Sequence, residues 1–296
     1  MSEQSGIGKA DALLILVTVI AACGWIFSKE ALQGLPPLLF IGVRFILAGM
    51  VIAVVAGTRF RQLDVSQWRH AGLASLLMGV AMICWILGLF YGQYLAEGAF
   101  LTSLGAILVP LLARLLFKDP LPLSLWLALP FAIAGLAALS LRDGLRLELG
   151  SIFFLSSALL FALHFNLMSR SSGRIHALPL TAIQLLGVGL TSLLVSSLTE
   201  SWPEQVEWNV LGWLLASAFI ATSLRFFLQV YAQGLTSASS AALWMTLEPV
   251  WTTLLAALWF AEVLSPQQYL GCGLIFASVL ISKGRNLRQG WQRFTR

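Results

Sequence analysis

Charge is what this chain has least of. Only 10% of its 296 residues are Asp, Glu, Lys or Arg, while 58% are hydrophobic; a water-soluble domain carries roughly a quarter charged residues. With a mean hydropathy of +0.86, this deficit excludes an ordinary soluble fold. Cysteine is nearly absent too: Cys23, Cys84 and Cys272 all fall within apolar stretches and lack metal-ligand spacing, so they are read as small packing residues and not as a disulfide frame. Histidine is limited to His70, His164 and His176, with no HExxH among them. Hydrolysis needs a nucleophile with a base, or a metal cluster, and the chain is therefore read as a non-enzyme without a metal or cofactor. No GxxxxGK[ST] loop is present to use ATP. Long polar segments are missing as well. The longest are about 58–70, 141–149 and 199–209, which leaves no room for a separate soluble domain.

What the chain has in abundance is apolar runs of about 17 to 23 residues, enough to cross roughly 30 Å of hydrocarbon at 1.5 Å per residue. Ten are read, at approximately 11–28, 37–57, 71–91, 98–117, 121–140, 150–168, 178–198, 210–232, 238–260 and 266–283. Backbone cannot face lipid unsatisfied, and runs this continuously apolar do not alternate as barrel strands do. The expected fold is an all-α integral membrane bundle of ten transmembrane helices. Pro36, Pro37, Pro120, Pro122, Pro203 and Pro266 fall at or near run ends, whereas Pro110, Pro130 and Pro249 lie inside runs, where each frees a carbonyl and can kink a helix.

Basic residues orient the bundle. With ten spans and both ends on one side, thirteen Lys and Arg fall on that side and three, Lys29, Arg142 and Arg146, on the other. Loops rich in Lys and Arg stay inside, so both termini are expected in the cytoplasm, and the loop 199–209 with Glu200, Glu204 and Glu207 lies outside. The net charge of +5 then reflects topology and anionic lipid headgroups, and not a nucleic-acid partner. Residues 1–11 lack a basic leader and a small-residue cleavage site, and the first span is expected to be retained.

The two halves also resemble each other. At a shift of 143 residues, Leu111, Leu112, Ala113, Leu115, Phe117 and Asp119 fall on Leu254, Leu255, Ala256, Leu258, Phe260 and Glu262, and Leu35-Pro36 falls on Leu178-Pro179. Residues 1–145 and 146–296 are thus read as two five-span repeats, and an odd span count forces them to face opposite ways. Duplicated, inverted units with a binding site near the midplane are a common plan of secondary transporters. The small-residue runs around Gly98, Ser103 and Gly105 and at Ala238–Ala242 are repeat partners, expected to approach each other closely.

Ionisable side chains inside the spans carry the chemistry, because each costs a few kcal/mol to bury. Arg225 and Glu248 fall near the middles of two antiparallel neighbours and are read as a pair: either structural, with Glu248 alternatively capping backbone freed by Pro249, or functional. In the functional version Arg225 holds a carboxylate or phosphate and Glu248 takes a proton or a substrate amine. Gln229 shares the face of Arg225 four residues on. His164 and Asn166 interrupt an otherwise apolar span, each reaching a central cavity or bonding a neighbouring helix. Glu97, near the outer face, is a gate or proton-entry carboxylate, or simply solvated. Trp25, Trp85 and Trp244 lie beside Gly24, Gly88 and Ala241 and are candidates to stack on a substrate. Arg44 sits toward the outer third of its span, where depth does not decide its role.

The segment Ser239–Val250, which contains Glu248-Pro249, then Glu262–Pro266 and Gly271, resembles the second repeat of EamA-type members of the drug/metabolite transporter superfamily. Ser28–Leu32, Gly34–Pro37 and Arg44-Phe45 resemble the first. The resemblance implies two inverted five-helix repeats in a bacterial inner membrane, often exporting amino acids or other small metabolites. It also implies a central cavity lined by spans one, three, four, six, eight and nine, which would include Arg225, Glu248, His164 and Trp85. The chain departs from the pattern at Gly105-Ala106, where a proline is frequent, and at Ala21-Ala22, where Trp-Gly is frequent. The expected function is secondary active export of a small polar or amphoteric metabolite by alternating access, driven by a proton or exchange gradient. Export of hydrophobic cations, or lipid flipping, is the alternative. The partners are a small-molecule substrate and membrane lipid; nothing in the residues separates a monomer from a homodimer.

Overall fold

The computed structural model describes residues 3–92, 95–121, 123–140, 148–260 and 264–294, and among these the chain is helical with no β-strand. Seven helices come first: α1 (Glu3–Ala31), α2 (Pro37–Ala56), α3 (Val65–Tyr91), α4 (Leu95–Phe117), α5 (Leu123–Ser140), α6 (Leu149–Ser172) and α7 (Ala177–Thr199). Two apolar runs are then interrupted. One is split into α8 (Trp208–Ala218), a π-helical turn (Phe219–Leu224) and α9 (Arg225–Gln233); the other into α10 (Ala238–Met245) and α11 (Glu248–Phe260). The last helix is α12 (Pro266–Phe294). Among the described residues, eight segments are long and apolar enough to cross a membrane, and Leu123–Ala138 in α5 is a shorter apolar helix.

Local chemistry explains where these helices start. Asp64 caps α3, accepting from the Gln67 backbone N–H at 2.7 Å, while the Gln67 side chain accepts from the Asp64 N–H at 3.1 Å, a capping box. Ser237 caps α10 by accepting from the Ser240 N–H. The N-terminus of α2 follows Pro36 and has no local cap. Instead the Glu200 carboxylate, at the end of α7, accepts from the Leu38 and Leu39 N–H groups at 2.8 Å each. A carboxylate there satisfies two orphan donors and complements the positive end of the helix. Glu200→Ala is therefore expected to destabilise the protein by about 1–2 kcal/mol, seen as a lower melting temperature in detergent; an unchanged melting temperature would remove this cap from the account.

The three internal prolines behave differently. Pro110 and Pro130 are accommodated inside continuous α4 and α5. Pro249 instead follows a break, since Thr246 and Leu247 leave the helix and Glu248-Pro249 begin α11, where a missing N–H costs nothing.

Helices pair along most of their length. α2 packs on α7, α5 on α12, and α6 on both α3 and α4, while α1 packs on α8–α9 and on α10–α11. Glycines bring some of these backbones close: a Cβ on Gly189 would lie 2.8 Å from the Ile46 N, one on Gly135 2.8 Å from the Ile275 N, and one on Gly105 2.8 Å from the Ala158 carbonyl oxygen. Gly98 and Gly105 thus bring α4 against α6, and not primarily against the Ala238–Ala242 run as expected. That run still touches α4 through Ala242, which packs beside Val109 and Ala162.

Candidate functional site

The two interrupted helices break where the bundle is hollow. A cavity of about 160 Å³ lies between α1, α3, α4, α6, the π turn with α9, and α10–α11, enough to admit water or a small solute. Its wall is mostly apolar and aromatic, with Met78, Met82, Trp85, Phe161, Phe165 and Phe226 prominent.

Arg225 is the first residue after the π turn and Glu248 the first of α11, so both charges stand at helix interruptions on the cavity wall. Arg225 Nη2 lies 3.6 Å from Glu248 Oε2, with the side chains 15% and 21% exposed. The other carboxylate oxygen, Glu248 Oε1, accepts from Trp25 Nε1 at 2.8 Å. Glu248 therefore turns to α1 and α9, and not to backbone freed by Pro249. Trp25 in turn meets Trp85 edge to face at 4.9 Å, fixing the ring that holds the carboxylate. π turns recur at functional sites because they leave carbonyls without the usual partner. Here Thr222 Oγ1 donates to the Ser217 carbonyl at 2.8 Å, five residues back.

Of the residues singled out from the sequence, Arg225, Glu248, Gln229, His164, Trp25 and Trp85 all border this cavity. Arg225 Nε and Gln229 Oε1 are buried without a hydrogen-bond partner, as is Thr102 Oγ1 on the facing wall. His164 is tied down at both ring nitrogens: Nδ1 contacts the Ala74 carbonyl at 2.9 Å and Nε2 the Gln184 amide nitrogen at 3.2 Å. A carbonyl can only accept, so the ring donates from Nδ1 and accepts at Nε2, a neutral bridge from α6 to α3 and α7.

Two of the residues fall elsewhere, and the side chain of a third lies outside the described residues. Asn166 does not border the cavity; its amide donates to the Val109 and Ala162 carbonyls at 3.0 Å each, so it ties α6 to α4. The sequence showed a polar residue in an apolar span but not which wall it faced. Asn166→Ala is expected to lower stability by about 1 kcal/mol, measured by thermal unfolding in detergent, with ligand affinity unchanged. Trp244 also turns away, its indole donating to Asp11 Oδ1 at 2.6 Å. Glu97 lies in α4 by its backbone, and its side chain falls outside the described residues.

The residue that sequence reasoning left undecided is Arg44. It lies seven residues into α2, but its long side chain reaches sideways, 5% exposed, to the cavity wall. There Nε donates to Thr222 Oγ1 at 2.5 Å and Nη1 to Ser28 Oγ at 3.0 Å, with Nη2 3.4 Å from the Ala221 carbonyl. Phe40 and Phe45 flank the guanidinium. Axial depth along one helix cannot reveal a lateral reach of this kind. The available signal was simply an arginine inside an apolar run.

A profile of the EamA-like transporter family matches the chain twice, over residues 8–141 and 148–283. The chain belongs to the EamA-like transporter family. With its many apolar helices, this EamA-like protein is a multi-pass membrane protein. Similar proteins include an uncharacterized transporter of Archaeoglobus fulgidus, 29% identical over 92% of this chain and 85% of that one. The uncharacterized transporter YvbV of Bacillus subtilis is 26% identical over 95% and 93%. A solved crystal structure superposes with a TM-score of 0.75 at 18% identity, over 93% of this chain and 98% of the other, a likeness of fold.

Proposed function

We propose that this EamA-like protein is a secondary active transporter that exports a small polar or amphoteric metabolite across a bacterial inner membrane by alternating access. The observation that carries the reading is the Arg225–Glu248 pair at two helix interruptions on a mid-bundle cavity. Broken helices expose backbone and charge only where a protein cavity receives them.

In this reading the chain crosses the membrane ten times with both ends in the cytoplasm, as two five-helix units, 1–145 and 146–296, inserted in opposite senses. Two observations support it. The family profile matches twice, and helix packing is exchanged between the halves: α6 joins α3 and α4, whereas α1 joins α8–α9 and α10–α11. At the 143-residue shift each of these groups is the image of the other. The cavity lies between them, so tilting one against the other opens it to one side at a time. Cysteine-accessibility mapping should label positions near residues 8 and 284 from the same side of the membrane; labelling from opposite faces would reject the ten-crossing arrangement.

Glu248 is the proton-coupling group in this mechanism. When it is charged it holds Arg225; when it takes a proton, Arg225 is released toward the substrate. Glu248→Gln is expected to give flux in proteoliposomes that no longer responds to pH, and a retained pH response would exclude coupling through this carboxylate. Export of hydrophobic cations fits less well, because Glu248, the cavity carboxylate among the described residues, already serves Arg225 and Trp25.

A further inference from the structure

The charges on the cavity wall do not balance. Among the described residues its charged members are Arg44, Arg225 and Glu248, and His164 is a neutral bridge. Arg225 has Glu248 as counter-charge. Arg44 is more deeply buried, and no carboxylate lies within salt-bridge distance of it among the described residues. Its recorded partners are all neutral: two hydroxyls and a carbonyl. They engage three N–H groups of a guanidinium that has five to offer. Gly24, also on the cavity wall, packs beside this group: a Cβ there would lie 2.9 Å from Ala221 Cβ and 3.7 Å from Arg44 Nη2. A cation buried in low dielectric without an anion is expensive, and the expense falls when an anion enters.

Building on the transport reading, we propose that the cavity selects a small organic acid of net charge −1, with its carboxylate between Arg44 and Arg225 and its apolar body against Trp25, Trp85 and the methionines. Arg225 Nε, Gln229 Oε1 and Thr102 Oγ1, buried without partners, supply further polar contacts. The wall around them is aromatic and thioether-rich, suited to an aliphatic or aromatic body and not to a sugar. Net-neutral zwitterions and cations leave the Arg44 charge uncompensated and are the disfavoured classes. Arg44 is then the specificity-determining residue, and Arg225 the one that answers to Glu248.

The test compares acids with their own amides, which keep shape and change charge: phenylacetate with phenylacetamide, isovalerate with isovaleramide, and glutamate with glutamine. Binding to the purified full-length protein is read by thermal shift and calorimetry in detergent, and counterflow of the same solutes is read in proteoliposomes. The wild type should bind at least one acid about tenfold or more tightly than its amide. In folded Arg44→Gln that preference should collapse or reverse, and in Arg44→Lys it should persist. Every amide binding the wild type as well as its acid, or binding by no acid in the panel, overturns the proposal. So does an undiminished acid preference in Arg44→Gln. If Arg44→Gln does not fold, the wild-type comparison decides alone. Counterflow of amides with no preference for acids sinks the anion selectivity but leaves transport standing, whereas absence of counterflow by any binding solute sinks the transport reading itself.

Discussion

Arg225→Gln is expected to lower transport in proteoliposomes by about 10- to 100-fold. The side chain supplies charge-assisted hydrogen bonds, worth about 1.5–3 kcal/mol each when made to a charged partner, and about 1.4 kcal/mol is a factor of ten. The lower part of that range is favoured, since Arg225 and Glu248 keep 15% and 21% exposure and some screening with it. The same change also strands Glu248, whose remaining recorded partner is the Trp25 indole. Removing one member of a buried pair costs more than removing both, so the single variant should also melt lower than the wild type. Arg225→Gln combined with Glu248→Gln separates the two effects. The double variant should regain most of the lost stability while transport stays low. Recovery of transport in the double variant would make the pair a structural element and take Arg225 out of substrate binding.

The second large effect is expected where no functional residue is involved. Gly189→Val should destabilise the protein by about 3 kcal/mol or more, because its Cβ would meet the backbone of α2, 2.8 Å from the Ile46 N, and backbone cannot rotate aside as a side chain can. Overpacking a tight contact typically costs 1–3 kcal/mol, and here the helices themselves must separate. Gly135→Val, facing the Ile275 N and the Gly271 carbonyl oxygen on α12, should behave alike. Gly72→Ala and Gly273→Ala are the controls: nothing lies within 4 Å of either added Cβ, and alanine favours a helix over glycine. Melting curves that rank Gly189→Val with these controls would mean that α2 and α7 do not meet as closely as described.

The same contrast explains which parts of the site could be read in advance. Arg225 and Glu248 stand out as charges in the middles of apolar runs, and their cost in lipid marks them whatever the fold. Trp25 and Trp85 are marked by small neighbours along the same helix. Asn166 carries an equally visible signal, yet it faces α4 and serves the Val109 carbonyl, because a polar group in an apolar run can be satisfied by a neighbouring backbone as well as by a substrate. Trp244 was singled out by the small residue Ala241 in its span, but Asp11, more than two hundred residues away in sequence, claims its indole. Arg44 shows the opposite case: its depth in α2 decided nothing, and only the position of the π turn beside it gives its guanidinium a place on the cavity.

Composition and the length of the apolar runs alone determined that this chain folds as membrane helices, since hydrocarbon leaves backbone no other way to satisfy itself. Motifs such as Glu248-Pro249 carried the family resemblance. The tertiary structure decided what one-dimensional order does not contain: which side chains face each other. Helix packing brought Arg44 to the π turn, drew Glu248 to Trp25 instead of to freed backbone, and left Arg44 on the wall without an acid among the described residues. Each of these depends on lateral contacts between helices far apart in the chain, and lateral contacts are set by how the bundle closes.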